Sequence, residues 1–194
     1  MTTLAAALFV GGASLRMGAD KAMLILDGEP LWARQLKTLR TICPATIVVS
    51  ARAKPAWLPS DVELVLDDPP SRGPLSGMVV ALRKIQTTHL LALAIDLPRI
   101  TADHLRVLWS LAQPGCGVVP QNGDRFEPLC AIYPAEGAGE ATAALASENV
   151  SMRHFVQALL KRNLMRTKMI EAADRPLYHN VNSPDDFQDI KTHR

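Results

Sequence analysis

The 194-residue sequence shows no excess of either charge: 21 Lys plus Arg against 19 Asp plus Glu leave a formal net charge of +2. Such a balance lacks the electrostatic footprint that non-specific nucleic-acid binding requires, so no nucleic-acid partner is expected. Paired cysteines are also missing. Cys43, Cys116 and Cys130 are odd in number, widely spaced and set in apolar surroundings, which argues against a disulfide framework and a structural zinc site and leaves buried free thiols as the expectation. No long hydrophobic run occurs. The apolar stretch Leu4 to Val10 has no basic residues before it and breaks at Gly11 and Gly12, too short for a signal peptide or a membrane span, so a cytoplasmic protein without a membrane partner is expected. Internal repeats, low-complexity segments and linkers are absent as well. With 48% hydrophobic and 21% charged residues, the expectation is one soluble domain over residues 1–194.

What is present is an alternation of strand and helix patterns. Ala5 to Val10, Ala45 to Ser50, "VELVLDD" (62–68) and "HLLALAID" (89–96) read as strands; the last is too apolar for a strand with a wet face, and together they suggest the centre of a parallel sheet. After the Asp27-Gly28 turn and Pro30, residues Trp32, Leu36, Leu39 and Cys43 share one helical face, and Leu75, Met78, Val79 and Leu82 repeat the spacing. Strand, helix, strand is the βαβ pattern. A further helix is expected over Asp103 to Gln113, then "GCGVVP" and "EPLCAIYP" as strands flanking the turn "QNGDR". An alanine-rich helix from Gly137 to Ser147 and an amphipathic helix "SMRHFVQALLKR", with Ser151 as N-cap, follow.

The first strand runs into "GGASLRMGADK" (11–21). In parallel α/β sheets ligands gather at the carboxyl ends of the strands, and backbone N–H groups freed by Gly11, Gly12 and Gly18 can face phosphate oxygens with no Cβ in the way. Arg16 and Lys21 add positive charge. The spacing is neither G-x-x-x-x-G-K-S/T nor G-x-G-x-x-G, so the loop alone fits either a phosphate cradle or a glycine-rich surface turn with two solvated cations. "LALAIDLPRI" ends a buried run in Asp96, a charge that needs compensation. It is either a cap for the following turn or a ligand for Mg²⁺, which takes one or two protein carboxylates plus phosphate and water oxygens. A third strand end supplies Asp67 and Asp68 and leads to "PPSRGPLSGM", where Gly73 and Gly77 bracket a helix start. Three strand ends that carry cationic, acidic or glycine-rich groups suit a nucleotide and metal site.

These residues carry a resemblance. "GGASLRMGADK" resembles the GG-x-S-x-R-MG-x-DK signature of molybdenum cofactor guanylyltransferases, within the nucleotidyltransferases that activate sugars and cofactors with nucleoside triphosphates. "RGPLSGM", "AIDLP", "RFEPLCAIY" and "HNVNSPDDF" resemble further family segments along nearly the whole chain, whereas Phe9-Val10 stands where the family usually has Leu-Ala. The resemblance implies a three-layer αβα sandwich with a Rossmann-like, mostly parallel sheet, and transfer of GMP from GTP to the terminal phosphate of molybdopterin with release of pyrophosphate. It implies Mg²⁺ on Asp96 and catalytic roles for Arg16, Lys21 and Asp96. Nucleotide contacts are implied for Phe9, Val10, Gly11, Gly12, Gly18, Lys21, Asp67, Asp68, Gly73, Pro74, Leu75, Gly77 and Asp96. Arg153, Asn180 and Asn182 are implied on the pterin side, and recipient molybdoenzymes or their chaperones are implied as transient partners. Asn180 and Asn182 flank a single residue, so on an extended segment both amides project to one face, where they can bind the metal's shell or the pterin substrate; an Asx turn before Pro184 is the alternative.

Other residues read as structural. His154 has no partner at metal-ligand spacing, Ser14 has no neighbouring base, and Trp32, Trp57 and Trp109 read as core or rim packing. Two rival functions remain. A cytidylyltransferase of the same cofactor would usually show Ala-Ala-Gly where Val10-Gly11-Gly12 stands and lack the Gly-Pro-Leu segment; a non-catalytic carrier of the cofactor or a nucleotide would release no pyrophosphate.

Overall fold

The computed structural model describes residues 1–11, 20–67, 70–183 and 186–187. Its elements in chain order are β1 (Leu4–Phe9), the hairpin β2 (Ile25–Leu26) and β3 (Glu29–Pro30), α1 (Leu31–Thr41), β4 (Thr46–Ala51), β5 (Glu63–Leu66), α2 (Pro74–Lys84) and β6 (His89–Ala94). Then follow α3 (Ala102–Leu111), β7 (Gly117–Asn122), β8 (Arg125–Phe126), β9 (Cys130–Pro134), α4 (Ala138–Ala146), α5 (Met152–Lys161) and β10 (Met165–Met169). The main sheet has the order β10-β7-β9-β6-β1-β4-β5, with β8 pairing off β7. β6, β1, β4 and β5 run parallel, β9 runs antiparallel to both β6 and β7, and β10 runs parallel to β7.

Alternation along β1 shows how the layers arise, because successive strand side chains point to opposite faces. Leu4, Ala6 and Leu8 join α1 and α3 in one buried cluster. Ala5, Ala7 and Phe9 join α2, α4 and α5 in the other. Both faces are covered, so β1 and β6 are buried along their whole length and show the near-continuous apolar runs of a doubly covered strand. The result is the α/β three-layer sandwich.

Local sequence explains the joints. Asp27 and Gly28 both take positive φ (54° and 80°), the requirement of a tight type I′ hairpin turn, and this turn returns the chain to Pro30 at the start of α1. Gly73 caps α2 at φ 85°, Pro74 follows in the first turn, and Ser76 Oγ reaches back to accept from the Arg72 N–H (2.8 Å). Ser151 caps α5 as the sequence suggests, accepting from the His154 N–H at 3.1 Å.

Three expectations need correction. The Val62–Asp68 strand is the sheet edge rather than a central strand, and its pairing covers only Glu63–Leu66. Of the three thiols, all free, only Cys130 is buried. Cys43 lies past the end of α1 with φ 53°, where the left-handed turn that stops the helix swings it outward and breaks the apolar face counted through it. β10 was not expected at all: in "MRTKM" only Met165 is buried, Arg166 and Lys168 are partly buried, and Thr167 and Met169 are exposed.

Candidate active site

The strand order reverses between β1 and β6, since β4 and β5 build outward from one side of β1 and the chain then returns to its other side. The carboxyl ends of these two strands form the crevice where open α/β sheets bind ligands. There the Val10 N–H donates to the Ser50 carbonyl (3.0 Å) and the Ile95 N–H to the Phe9 carbonyl (3.0 Å), so the ladder continues past both strands. Gly11 is exposed at this exit. Gly12, Ser14, Arg16 and Gly18, on which the cradle reading partly rests, lie outside the described residues, as does Asp68.

Lys21 opens a short 3-10 turn (Lys21–Met23) whose geometry is set by Asp20. One Asp20 oxygen accepts from the Ala22 N–H (3.0 Å) and the other from Trp57 Nε1 (3.3 Å). Trp57 in turn stacks on Trp32 of α1, with ring centroids 5.2 Å apart and planes 11° apart. The two tryptophans are thus rim packing, and they also steady the residue before Lys21. Lys21 Nζ lies 3.8 Å from Asp96 Oδ2 and donates to Asn182 Oδ1 at 3.0 Å. Residues from near the start, the middle and the end of the sequence therefore meet at one point.

Asp96 stands two residues beyond β6. Burial pushes its carboxyl above the ordinary carboxylate range, and the Lys21 charge opposes that rise. Glu127, in the turn before β9, is pushed up as well, first by burial and then by the negative charge of Asp96. Two desolvated carboxyls within electrostatic reach of each other favour a cation between or beside them.

The segment carrying Asn180 and Asn182 is strapped across this corner. The Val181 N–H donates to the Asp96 carbonyl (2.9 Å), and one Asp186 oxygen accepts from the N–H groups of Asn182 (2.8 Å) and Ser183 (2.9 Å). Upstream, Tyr178 is buried with its hydroxyl 2.6 Å from His104 Nε2. Asp174 approaches the other ring nitrogen of His104 at 3.9 Å. Asn182 faces Lys21, whereas Asn180 is exposed with no side-chain partner among the described residues.

On the other side of β1, Gly77 lets α2 sit close to the sheet: a Cβ there would run into Ser50 Oγ and come within 2.9 Å of Asp67 Oδ1. Asp67 accepts from Ser71 Oγ (2.7 Å), ordering the turn toward exposed Pro74 and partly exposed Gly73. The Phe9 ring and Leu75 are buried in the α2-side core, while half-buried Val10 packs toward the opposite core. Arg153 is exposed on the first turn of α5; no hydrogen bond or ion pair joins it to Lys21, Asp96 or Asn182 among the described residues.

Sequence reasoning missed Gln35, Trp57 as a partner of Asp20, Glu127, and the His104–Tyr178 pair. Gln35 alone left a signal: a polar residue on the apolar stripe of α1, where Leu31, Leu36 and Leu39 are buried beside it.

The donor set also bears on a metal. Among the described residues no group of three or more His, Cys, Asp or Glu side chains could hold one, which excludes a dedicated protein cage there. Asp96 Oδ2 and Asn182 Oδ1 nonetheless face one cation, the Lys21 ammonium. One carboxylate and one amide oxygen suit Mg²⁺, which keeps much of its shell for water and phosphate oxygens.

The chain matches known proteins along most of its length. Residues 6–164 match the model of the MobA-like NTP transferase domain. A protein of Opitutus terrae named "Probable molybdenum cofactor guanylyltransferase" is 36% identical over 188 residues, covering 95% of this chain and 93% of that protein. The molybdenum cofactor guanylyltransferase of Rhizobium rhizogenes is 33% identical, covering 95% of this chain and 89% of its own. In fold, the chain resembles molybdopterin-guanine dinucleotide biosynthesis protein A from Archaeoglobus fulgidus, with TM-score 0.72, 21% identity and 97% of each chain covered. It also resembles a nucleotidyl transferase from Methanothermobacter, with TM-score 0.78, 16% identity, 100% of this chain and 98% of that one covered. With its glycine-rich exit from β1, its lysine and aspartate at the switch point and a family match over most of its length, the chain belongs to the MobA-like NTP transferases.

Proposed function

We propose that the chain transfers GMP from GTP to the terminal phosphate of molybdopterin, releasing pyrophosphate and forming the guanine dinucleotide cofactor. The observation that carries this reading is the convergence of Lys21 Nζ, Asp96 Oδ2 and Asn182 Oδ1 at the switch point of the sheet. The names of the Opitutus and Rhizobium relatives, molybdenum cofactor guanylyltransferases, support a guanylyl donor and a molybdenum-cofactor acceptor. In the proposed reaction a terminal phosphate oxygen of the pterin side chain forms a bond to the α-phosphorus of GTP. The bond from that phosphorus to the bridging oxygen breaks, and its electron pair leaves with pyrophosphate.

A phosphate monoester is largely dianionic at neutral pH, its second pKa being about 6, so the nucleophile needs no base. The obstacle is repulsion between two polyanions, and the residues supply charge neutralisation and in-line positioning. In this reading Lys21 and Arg16 neutralise phosphate charge, and the glycine loop brings N–H groups to the triphosphate. Asp96 and Asn182 would hold Mg²⁺, which would supply charge neutralisation and Lewis-acid polarisation at the phosphates. Gly73, Pro74, Leu75 and Gly77, with Asp67 or Asp68, shape the nucleotide side, and Arg153 and Asn180 serve the pterin. We further read residues 1–194 as one nucleotidyltransferase domain acting in the cytoplasm, with transient contact to recipient molybdoenzymes or their chaperones.

The test is pyrophosphate release with molybdopterin and each of the four nucleoside triphosphates, alongside competition binding of the same four. GTP should win both. Preference for CTP would assign the chain to cytidylyl transfer, and binding without pyrophosphate release would make it a carrier.

A further inference from the structure

Gln35 is a buried polar side chain that reaches the Asp96 turn from below. It lies on the sheet-facing side of α1, fully buried among leucines. Its Nε2 donates to the Leu97 carbonyl at 2.7 Å and, more distantly, to the Ala94 carbonyl at 3.4 Å. These two carbonyls bracket Ile95 and Asp96. The neighbouring Arg34 adds a bond from Nε to the Pro98 carbonyl (3.0 Å). Above the same turn, the Ile95 N–H is held by the Phe9 carbonyl and the Asp96 carbonyl by the Val181 N–H. The backbone of Asp96 is therefore fixed from α1, from β1 and from the asparagine strap.

Stability does not explain a glutamine here. Its Oε1 is buried without a hydrogen-bond partner among the described residues, an arrangement that costs free energy. The Leu97 carbonyl also accepts from the Ile100 N–H (3.2 Å), so it would stay bonded without Gln35. A leucine of similar volume would fill the site, continue the apolar stripe and remove the orphan oxygen. We propose that Gln35 is a positioning residue: its amide grips the turn on both sides of Asp96 and aims that carboxylate at Lys21, Asn182 and the metal. This inference rests on the nucleotidyl-transfer reading, in which Asp96 is the metal-side carboxylate.

The consequence is an unusual pairing of effects, because a residue kept for packing alone loses stability and activity together. Gln35→Leu should leave the melting temperature unchanged or raise it, leave GTP affinity within twofold, lower kcat about tenfold and raise the Mg²⁺ concentration for half-maximal activity severalfold. In an Asp96→Asn background the same change should cost no further activity. A readout that needs no turnover is amide hydrogen exchange: in Gln35→Leu the Val181 N–H should exchange at least tenfold faster while the Leu91 N–H in β6 stays as protected as before. Unchanged exchange at Val181 overturns the proposal whether or not the enzyme turns over. So does a lowered melting temperature with an unchanged Mg²⁺ requirement. A wild-type protein without GTP-dependent pyrophosphate release defeats the functional reading instead, and the exchange measurement still decides whether Gln35 holds the turn.

Discussion

Replacing Asp96 by asparagine separates what that position does for folding from what it does for chemistry. The carboxylate lies 3.8 Å from Lys21 Nζ, and the two side chains are only 26% and 16% exposed. At an effective dielectric constant of about 20, a pair at that distance attracts by roughly 4 kcal/mol before desolvation. Burial outweighs this attraction, because the Asp96 carboxyl titrates above its ordinary value despite the lysine. A folded-state pKa raised above the unfolded one means that the native state binds more protons between the two values. The stability contribution of this group is therefore present at acid pH and lost as pH rises through the folded pKa. At neutral pH the ionised Asp96 works against folding, and the neutral amide relieves that cost while Lys21 keeps its bond to Asn182. The Asp96→Asn protein should melt at the wild-type temperature or a few degrees above it, since 1 kcal/mol corresponds to roughly 2–4 °C in a chain of this size. Its chemistry should collapse. Loss of about 4 kcal/mol of charge stabilisation in the transition state corresponds to roughly a thousandfold in rate. Thermal melts beside pyrophosphate release across a Mg²⁺ titration measure both sides. Activity within tenfold of wild type at ordinary Mg²⁺ would refute the metal-side role, and a fall of many degrees in melting temperature would show a turn cap instead.

The other expectations are more local. Lys21→Ala removes a charged donor worth about 1.5–3 kcal/mol, so GTP affinity or turnover should fall at least tenfold with little change in melting; normal binding and turnover would dismiss the phosphate role. Gly77→Ala should destabilise by about 1–3 kcal/mol, because the new methyl meets Ser50 and Asp67 under α2; an unchanged melt would show that the helix can lift without cost. His104 is held below its ordinary value by burial, with Lys168 adding to the shift and Asp174 opposing it. The unfolded chain thus protonates first as pH falls below about 6.5, stability should decline from there toward the folded pKa, and His104→Phe should flatten that part of the curve in denaturant titrations from pH 7.5 to 5. A slope that survives the substitution would place its source elsewhere.

How much of this was legible in the sequence depends on how each residue does its work. β1 and β6 are covered on both faces, so their apolar runs announced them, and Asp96 stood out because charge is rare at the end of such a run. The Asp-Gly turn and the glycine and proline at the start of α2 were readable for the same local reason, since only certain residues take those backbone angles. β10 escaped because an edge strand with a single buried side chain has no apolar signature. Cys43 misled because helical periodicity does not reveal where a left-handed residue ends the helix. Gln35 showed as a polar residue on an apolar stripe, but what it and Tyr178 bond to, carbonyls and side chains distant in sequence, no spacing rule encodes. The approach of Asn182 to Lys21, 161 positions apart, depends on the sheet topology; the sequence offered only a family likeness for it.

The strap from Tyr178 to Ser183 bears on how the protein comes into being. Synthesis proceeds at about 5–20 residues per second, so Lys21 leaves the ribosome on the order of ten seconds before Asn182. In that interval β1, β4, β5 and β6 can pair and bring Lys21 to Asp96, but the amide that completes the charged corner has not been made. A chain that ends between Met169 and Asn182 has every strand of the sheet but not the amide that completes the corner. A cut within the strap would reach further than the corner, because Tyr178 and Val181 also belong to the buried cluster that α1 and α3 share.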